Sequence, residues 1–400
     1  MSVSDVVRHL GECLLLVQVM ALLLVLSRLL PGRVRRPPVA ARHAPRTDTT
    51  VTVIVASLNE AARIGPCLAG LQAQLAPLLE VLVVDSRSTD GTRELVHAAG
   101  LADPRIKLLT DDPLPGGWVG KVWALETGLR HARGEWVLGI DADTVPAPGL
   151  VGAVVDAMEQ DALDVASFAP RFMGQSAGER FVQPAMLVTL IYRCGATGVA
   201  RPAPDRVLAN GQCFMARRSV LERHGGYAPA RESFCDDVTL ARHLASRGAR
   251  VGFLDGSRII AVHSYATLSD MWREWGRSFD LKDATPTWRR WVDVVMIWSV
   301  QALPVPMLLL LAVLRIAHWS TSLSSNVLAQ ALLLVNASAL LVRLMLLTAL
   351  RGSYAVRGTP FWLSWLADVP AAWRLTLSTA RVPRSWRGRQ YESLATHSAG

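Results

Sequence analysis

The chain has 400 residues, 51% of them hydrophobic, and a formal net charge of +9; its positive mean hydropathy is high for a soluble enzyme and low for a chain lying wholly in a bilayer. Length allows one large domain or two smaller ones. The five cysteines, Cys13, Cys67, Cys194, Cys213 and Cys235, are scattered and odd in number, which argues against a disulfide framework or a paired-cysteine zinc site and for a reducing compartment.

Residues Cys13–Leu30 are almost wholly apolar and long enough to cross a bilayer as a helix. No basic leading region or clean small-residue cleavage site marks them as a signal peptide. Arg33, Arg35, Arg36, Arg42 and Arg46 follow, which puts the downstream side in the cytoplasm by the positive-inside rule. Pro31–Thr50 reads as a basic linker. Because the arginines track apolar flanks, the positive charge suits a membrane face and not nucleic acid.

From Val51 the pattern becomes strand–helix alternation. Strands are expected at Val51–Ala56, Val81–Val84, Ile106–Leu109 and Trp136–Ile140, with helices at Ala61–Gln74, Thr92–Ala99 and Val119–His131 between them. That order argues for a largely parallel sheet with helices on both faces. Ligands then sit beyond the carboxyl ends of the strands, where the polar clusters fall: Asn59-Glu60, Asp85 to Asp90, and Asp141-Ala142-Asp143. A helix over Gly149–Met158, a strand over Val165–Ala169, an apolar helix-like stretch Phe181–Cys194 and a strand over Leu208–Met215 follow. Then come helices at Arg218–His224 and Asp236–Arg247, and a strand at Val251–Leu254.

Met271–Leu281 carries Trp272, Trp275 and Phe279 among Arg273, Arg277 and Lys282, a composition suited to a membrane surface. Val292–Leu314 and Val327–Leu350 are two further spanning candidates with arginines on their outer flanks. Arg343 inside the second would snorkel or pair with Asp293 across the hairpin. Phe361–Ala380, interrupted by Asp368, Pro370 and Arg374, reads as an interfacial helix, and Arg381–Tyr391 as a basic tail on the inner leaflet.

Asp141-Ala142-Asp143 is the strongest chemical element. Two acids one residue apart at the end of a buried strand point the same way, and hard oxygen ligands suit Mg²⁺ or Mn²⁺, which also bind substrate phosphates; a solvated pair in a loop is the plainer alternative. Asp85 in VVDSRSTDGT can accept from a ribose or base, or merely cap a turn. Gly116 to Lys121, GGWVGK, is a glycine-rich turn opening a helix, without Walker spacing. Asp236 and Asp237 start a helix, where they either complement its dipole or supply a general base. Arg273 and Arg277, with Trp272 and Trp275, either close over a pyrophosphate or anchor to the membrane. His263 reads as a packed histidine.

Five motifs in order resemble the family 2 glycosyltransferases: VIVASLNE ending at Glu60, DSRSTDGT from Asp85, GKVWALETG from Gly120, Asp141-Ala142-Asp143, and CDDVTL from Cys235. The resemblance covers about Val51 to Phe279. It implies a GT-A fold, a Rossmann-like α/β nucleotide-sugar domain, here with N-terminal and C-terminal transmembrane helices. The implied boundaries are a spanning helix over 1–30, a linker over 31–50, the GT-A domain over 51–270, an interfacial helix over 271–291, a membrane hairpin over 292–350, and an interfacial helix and cytoplasmic tail over 351–400. Glu60 and Asp85 match positions that hold base and ribose, Lys121 the same half of the donor, and Asp141 the ribose side. Asp143 matches the metal ligand on the diphosphate, and Asp237 the catalytic base. Asp236 stands where Glu is usual, and MWREWGRSF replaces the family's Gln-x-x-Arg-Trp. The GGWVGK turn, the membrane hairpin and the closing WRGRQY resemble enzymes that glycosylate carotenoids and hopanoids.

The expected protein is thus an inverting, divalent-metal-dependent transferase in the inner membrane with its catalytic domain in the cytoplasm. Its expected partners are a nucleotide-sugar donor and an isoprenoid lipid acceptor. A polyprenyl-phosphate acceptor, a ceramide or diacylglycerol acceptor, and an inactive nucleotide-sugar-binding scaffold are the alternatives.

Overall fold

The computed structural model describes residues 2–199, 202–263, 265, 267–279, 281–316, 327–381, 385–386 and 389–390. The chain divides into two compact units. One takes Val34–Met173 and Thr197–Ser264, together with the chain's end; the other takes Met1–Arg33, Gly174–Ala196 and Tyr265–Arg381.

The first unit is an α/β domain. Its strands are β1 (Val51–Ser57), β2 (Leu78–Asp85), β3 (Ile106–Thr110), β4 (Trp136–Asp141), β5 (Thr144–Pro146), β6 (Val165–Ala169), β7 (Arg171–Phe172), β8 (Phe214–Arg217), β9 (Val251–Asp255) and β10 (Ile260–Val262). Its helices are α1 (Ile64–Gln72), α2 (Thr92–Ala102), α3 (Gly120–His131), α4 (Leu150–Gln160), α5 (Arg218–Arg223) and α6 (Asp236–Ser246). Seven strands form one sheet in the order β3-β2-β1-β4-β8-β6-β9. β1, β2, β3 and β4 run parallel, as the strand–helix alternation requires, while β8 runs antiparallel to both β4 and β6. β1 is buried almost throughout, as expected of a parallel strand covered on both faces. A three-stranded sheet of β5, β10 and β7, which the sequence pattern did not signal, sits beside the end of β4.

Register sets the functional edge. Ser57 pairs with Asp85 and Ala56 pairs with Asp141, so two of the expected acids end the parallel strands that flank β1, at one edge. Helix α3 lies close over β1: a Cβ on Gly128 would come 2.4 Å from a side-chain carbon of Ile54, so only glycine permits that approach.

Two expectations for this unit need correction. The strand expected over Leu208–Met215 starts only at Phe214; ahead of it the Ser167 hydroxyl accepts from the Asn210 N–H at 2.8 Å and donates to the Asn210 carbonyl at 2.9 Å. The expected linker is also packed from Val34 onward. Val39 and Ala41 lie against the core, the Val39 N–H donates to the Asp255 carbonyl at 2.8 Å, and Arg42 and Arg46 both hold Asp156.

The second unit is helical. Asp5–Val34 and Val327–Ser353 are long and apolar enough to span a membrane. The stretch expected as one straight span, Val292–Leu314, is instead two helical segments, Thr287–Ala302 and Pro304–Ile316, bent by 47°. Pro304 at the break lacks an N–H, and a π-turn over Trp298–Ala302 precedes it, both ordinary causes of a kink. The buried Gln301 is satisfied there by the Ala185 carbonyl at 2.9 Å and by Thr189 and Asp368. Phe181–Cys194 belongs to a longer helix, Ala177–Cys194, within this unit.

Arg343 neither snorkels nor meets Asp293. Its Nε lies 3.0 and 2.9 Å from the two carboxylate oxygens of Asp368. Asp293 is taken by Arg28 and Arg193. The segment expected as one interfacial helix is broken into Gly358–Trp362, a 3₁₀ turn over Ser364–Ala367, and Asp368–Ala380. The basic tail and WRGRQY motif lie mostly outside the described residues; Ser385-Trp386 and Arg389-Gln390 pair as short antiparallel strands.

Candidate active site

The carboxyl edge of the sheet collects the charged side chains. β4 ends at Asp141, and Asp143 lies in the turn before β5, so period-two alternation does not apply to the pair. A turn places Asp143 instead. Thr144, fully buried, donates its hydroxyl to the Asp141 carbonyl at 2.8 Å and pins that turn. The Asp141 and Asp143 side chains are 29% and 26% exposed, accessible to a ligand without being loose.

Lys121, in the first turn of α3, reaches back across the edge. Its Nζ lies 2.8 Å from Asp141 Oδ1 and 4.0 Å from Asp236 Oδ1. Burial alone would lower its pKa, yet the charges of Asp141, Asp236 and Asp237 outweigh burial and hold it above an ordinary lysine. Gly211 makes room for it, since a Cβ there would sit 2.5 Å from Nζ.

Asp236 and Asp237 open α6. Burial pushes the Asp236 carboxyl up, against the pull of Lys121. Burial likewise raises Asp237, to about 7, and the charge of Asp236 adds to this. Lys121 and the Val238 N–H, at 2.8 Å, oppose it. The Cys235 thiol donates to the same Asp237 oxygen at 3.5 Å. Asp237 is thus a carboxylate poised near neutral pH and only partly buried, the condition a general base needs. The Tyr227 ring lines the same small crevice as Asp236, Asp237 and Gly211.

At the other end of the edge, Glu60 and Asp85 are buried. Asp85 closes its own turn: it accepts from the Ser88 N–H at 3.0 Å and the Ser57 hydroxyl at 3.4 Å, with Arg93 3.6 Å away. Asn59, in left-handed backbone at φ 54, bonds to Ser88 and Thr89, and Asp90 accepts from the Ala61 N–H. These bonds clamp the loops after β1 and β2 together.

Arg63, not singled out from sequence, joins the two ends. Its guanidinium lies 2.9 Å from Glu60 Oε2 and 3.9 Å from Asp143 Oδ2. Its spacing, three residues beyond Glu60, was the available signal. Gly211 gave none, because it acts through a long-range contact. Arg273 and Arg277 lie on the helix Leu268–Ser278 of the helical unit, where they pair with Asp270 and Glu274 on that helix.

For a divalent cation, the hard oxygens of Asp141 and Asp143 fit. His263 follows β10, its N–H 3.4 Å from the Asp143 carbonyl, and its Nε2 is buried without a partner among the described residues. Among those residues no group of three or more His, Cys, Asp or Glu side chains could hold a metal, so donor phosphates and water would complete its shell.

Residues 52–225 match the model of Glycosyl transferase family 2. That stretch, less than half of the chain, is similar to the family. The α/β domain has the GT-A fold with a mixed sheet. The succinoglycan biosynthesis protein ExoO of Rhizobium meliloti is 33% identical over 30% of this chain and 35% of its own length. The glycosyltransferase AglE of Haloferax volcanii is 25% identical over 42% of this chain and 61% of its own length. The alignments therefore span less than two thirds of these relatives. A mannosyltransferase from Pyrobaculum calidifontis, solved with GDP-Man and Mn²⁺, superposes with a TM-score of 0.47 at 22% identity, covering 90% of this chain and 99% of that one.

Proposed function

We propose that this protein is a membrane-bound inverting glycosyltransferase. It moves a sugar from a nucleotide-sugar donor to a hydroxyl of a lipid acceptor, an isoprenoid. The observation that carries the reading is the cluster of Lys121, Asp141, Asp236 and Asp237 at the sheet's carboxyl edge, with Asp237 held near pH 7.

In this reading Glu60 and Asp85 bind the base and ribose. Asp85 does so while also closing its turn, since a carboxylate accepts several hydrogen bonds. Asp141 takes the ribose side, and Asp143, with Asp141, holds a Mg²⁺ or Mn²⁺. That ion, when bound, neutralises the leaving diphosphate. Lys121 orients Asp141 through their 2.8 Å ion pair. Asp237 takes the proton from the acceptor hydroxyl as its oxygen bonds to the anomeric carbon and the bond to the diphosphate breaks on the opposite face. Asp236 raises the basicity of Asp237 by like-charge proximity. For Arg273 and Arg277 we retain the membrane-surface role.

A polyprenyl-phosphate acceptor is the second reading. It is already an anion and needs no base, so a carboxyl raised toward neutrality favours the hydroxyl acceptor. Two helices able to span a membrane support a lipid over a soluble acceptor. Deleting the gene and weighing the lipid and pigment extract tests the proposal. The expected result is loss of a species one hexose heavier than an isoprenoid lipid. An unchanged extract, together with no donor-dependent transfer by the purified protein, would overturn it.

A further inference from the structure

We propose that Arg28, Arg193 and Arg290 form a binding site for the phosphate of an anionic membrane lipid. The inference rests on the reading that the helical unit lies in a membrane. Arg28 stands in the last turn of the helix Val3–Leu29, Arg193 in the last turn of Ala177–Cys194, and Arg290 near the start of Thr287–Ile297. Two apolar segments thus end or begin at this level, where hydrocarbon gives way to headgroups.

One carboxylate serves the cluster. Asp293 Oδ1 lies 3.3 Å from Arg28 Nη1, and its Oδ2 lies 3.2 Å from Arg193 Nε. Arg290 is three residues before Asp293 and shares its helix face. Arg28 and Arg193 are 9% and 1% exposed, so two buried guanidiniums share a single acid. Carbonyls fill some of their remaining valence: Arg28 donates to the Tyr192 carbonyl at 3.0 Å and Arg193 to the Phe279 carbonyl at 3.1 Å. Three donors are left over. Arg28 Nε and Arg290 Nε and Nη1 are buried with no hydrogen-bond partner among the described residues, and Arg290 Nη2 donates to the Thr287 hydroxyl.

Buried N–H groups without acceptors and a surplus positive charge are both costly. A phosphate removes both costs, because it carries negative charge and several acceptor oxygens in guanidinium geometry. Arg290 is only partly buried, and the neighbouring Trp288 and Trp291 are 64% and 44% exposed. Exposed tryptophans beside arginine belong at the headgroup layer. A basic pocket between spanning helices is a known type of anionic headgroup site.

The test uses the full chain in phosphatidylcholine nanodiscs with or without phosphatidylglycerol, with retained lipid counted by native mass spectrometry. Wild type should retain phosphatidylglycerol over phosphatidylcholine by about tenfold, the effect of one charge-assisted contact. Arg290→Gln, which breaks no ion pair, should lose most of that preference. Arg289→Gln removes the same charge from the same helix and should keep it. No preference in wild type, an unchanged preference in Arg290→Gln, or equal loss in both variants would overturn the proposal. Inorganic phosphate alone stabilising the phosphatidylcholine sample as well as phosphatidylglycerol does would replace the lipid with a free anion. Resistance of the wild type to carbonate extraction from membranes checks the membrane reading separately.

Discussion

Lys121 Nζ stands 2.8 Å from Asp141 Oδ1, and this contact joins the start of α3 to the end of β4. It also sets the electrostatics of the acids on α6, since Lys121 lowers the pKa of both Asp236 and Asp237. Lys121→Met should therefore shift the acid limb of the pH–rate profile to higher pH and reduce kcat at pH 7. A pH–kcat series for the two proteins measures the shift, and a limb left in place would show that Lys121 does not act on Asp237.

Asp237 can act as a base only when ionised. Activity should rise as pH climbs through about 7, and Asp237→Asn should lower kcat by roughly 10²–10⁴, the usual worth of a general base. Stability should move the other way. Burial raises the folded-state pKa above that of an ordinary aspartate, so the folded chain holds the proton that the unfolded chain releases. The Asp237 contribution to stability is then lost as pH rises from about 4 to about 7. Asp237→Asn should melt higher than wild type at pH 8 while being inactive. A variant that is both less stable and fully active would remove the base assignment.

Gly211→Ala separates geometry from folding. Its Cβ would meet Lys121 Nζ at 2.5 Å, the far end of a flexible chain, so the displacement costs little stability. Moving Nζ by about an ångström is enough to lose on the order of tenfold to a hundredfold in rate. The expected outcome is a melting temperature near wild type with kcat reduced at least tenfold. Full activity would mean that the lysine has slack the structure does not display.

Metal dependence falls on the turn after β4. Chelation by EDTA should abolish transfer, with Mn²⁺ or Mg²⁺ restoring it in wild type and not in Asp143→Ala. Membrane insertion of that variant should be unchanged, because Asp143 belongs to the α/β unit. Transfer that survives both EDTA and Asp143→Ala would exclude the ion from the reaction.

The parallel half of the sheet was legible because each strand is a buried β-branched run, and such runs read from local pattern alone. The acids at its edge were legible for the same reason, as polar residues closing apolar strands. β8 was read too long because Leu208–Cys213 has strand-like composition, while the backbone of Asn210 within it is bonded to the Ser167 hydroxyl, 43 positions away. Arg63 was passed over although its distance from Glu60 is local. The partner of Arg343 was misjudged for a topological reason: Asp293 and Asp368 each lie in an apolar stretch of sequence, and only the tertiary contact of Arg343 with Asp368 decides between them.

That pair supports the last prediction. Arg343 and Asp368 are 1% and 4% exposed, and each would be an uncompensated charge without the other. Removing one partner of a buried pair costs about 3–5 kcal/mol, whereas replacing both by apolar residues of similar volume is close to neutral. Arg343→Met alone and Asp368→Leu alone should therefore reduce folded protein recovered from membranes. The double variant should recover most of it, since Gln301 keeps its bonds to Ala185 and Thr189 when Asp368 is gone. Thermal stability in detergent, read across the double-mutant cycle, gives the coupling directly. Additive losses in the double variant would mean that the two charges are held by other groups, and the cross-helix tie would have to be abandoned.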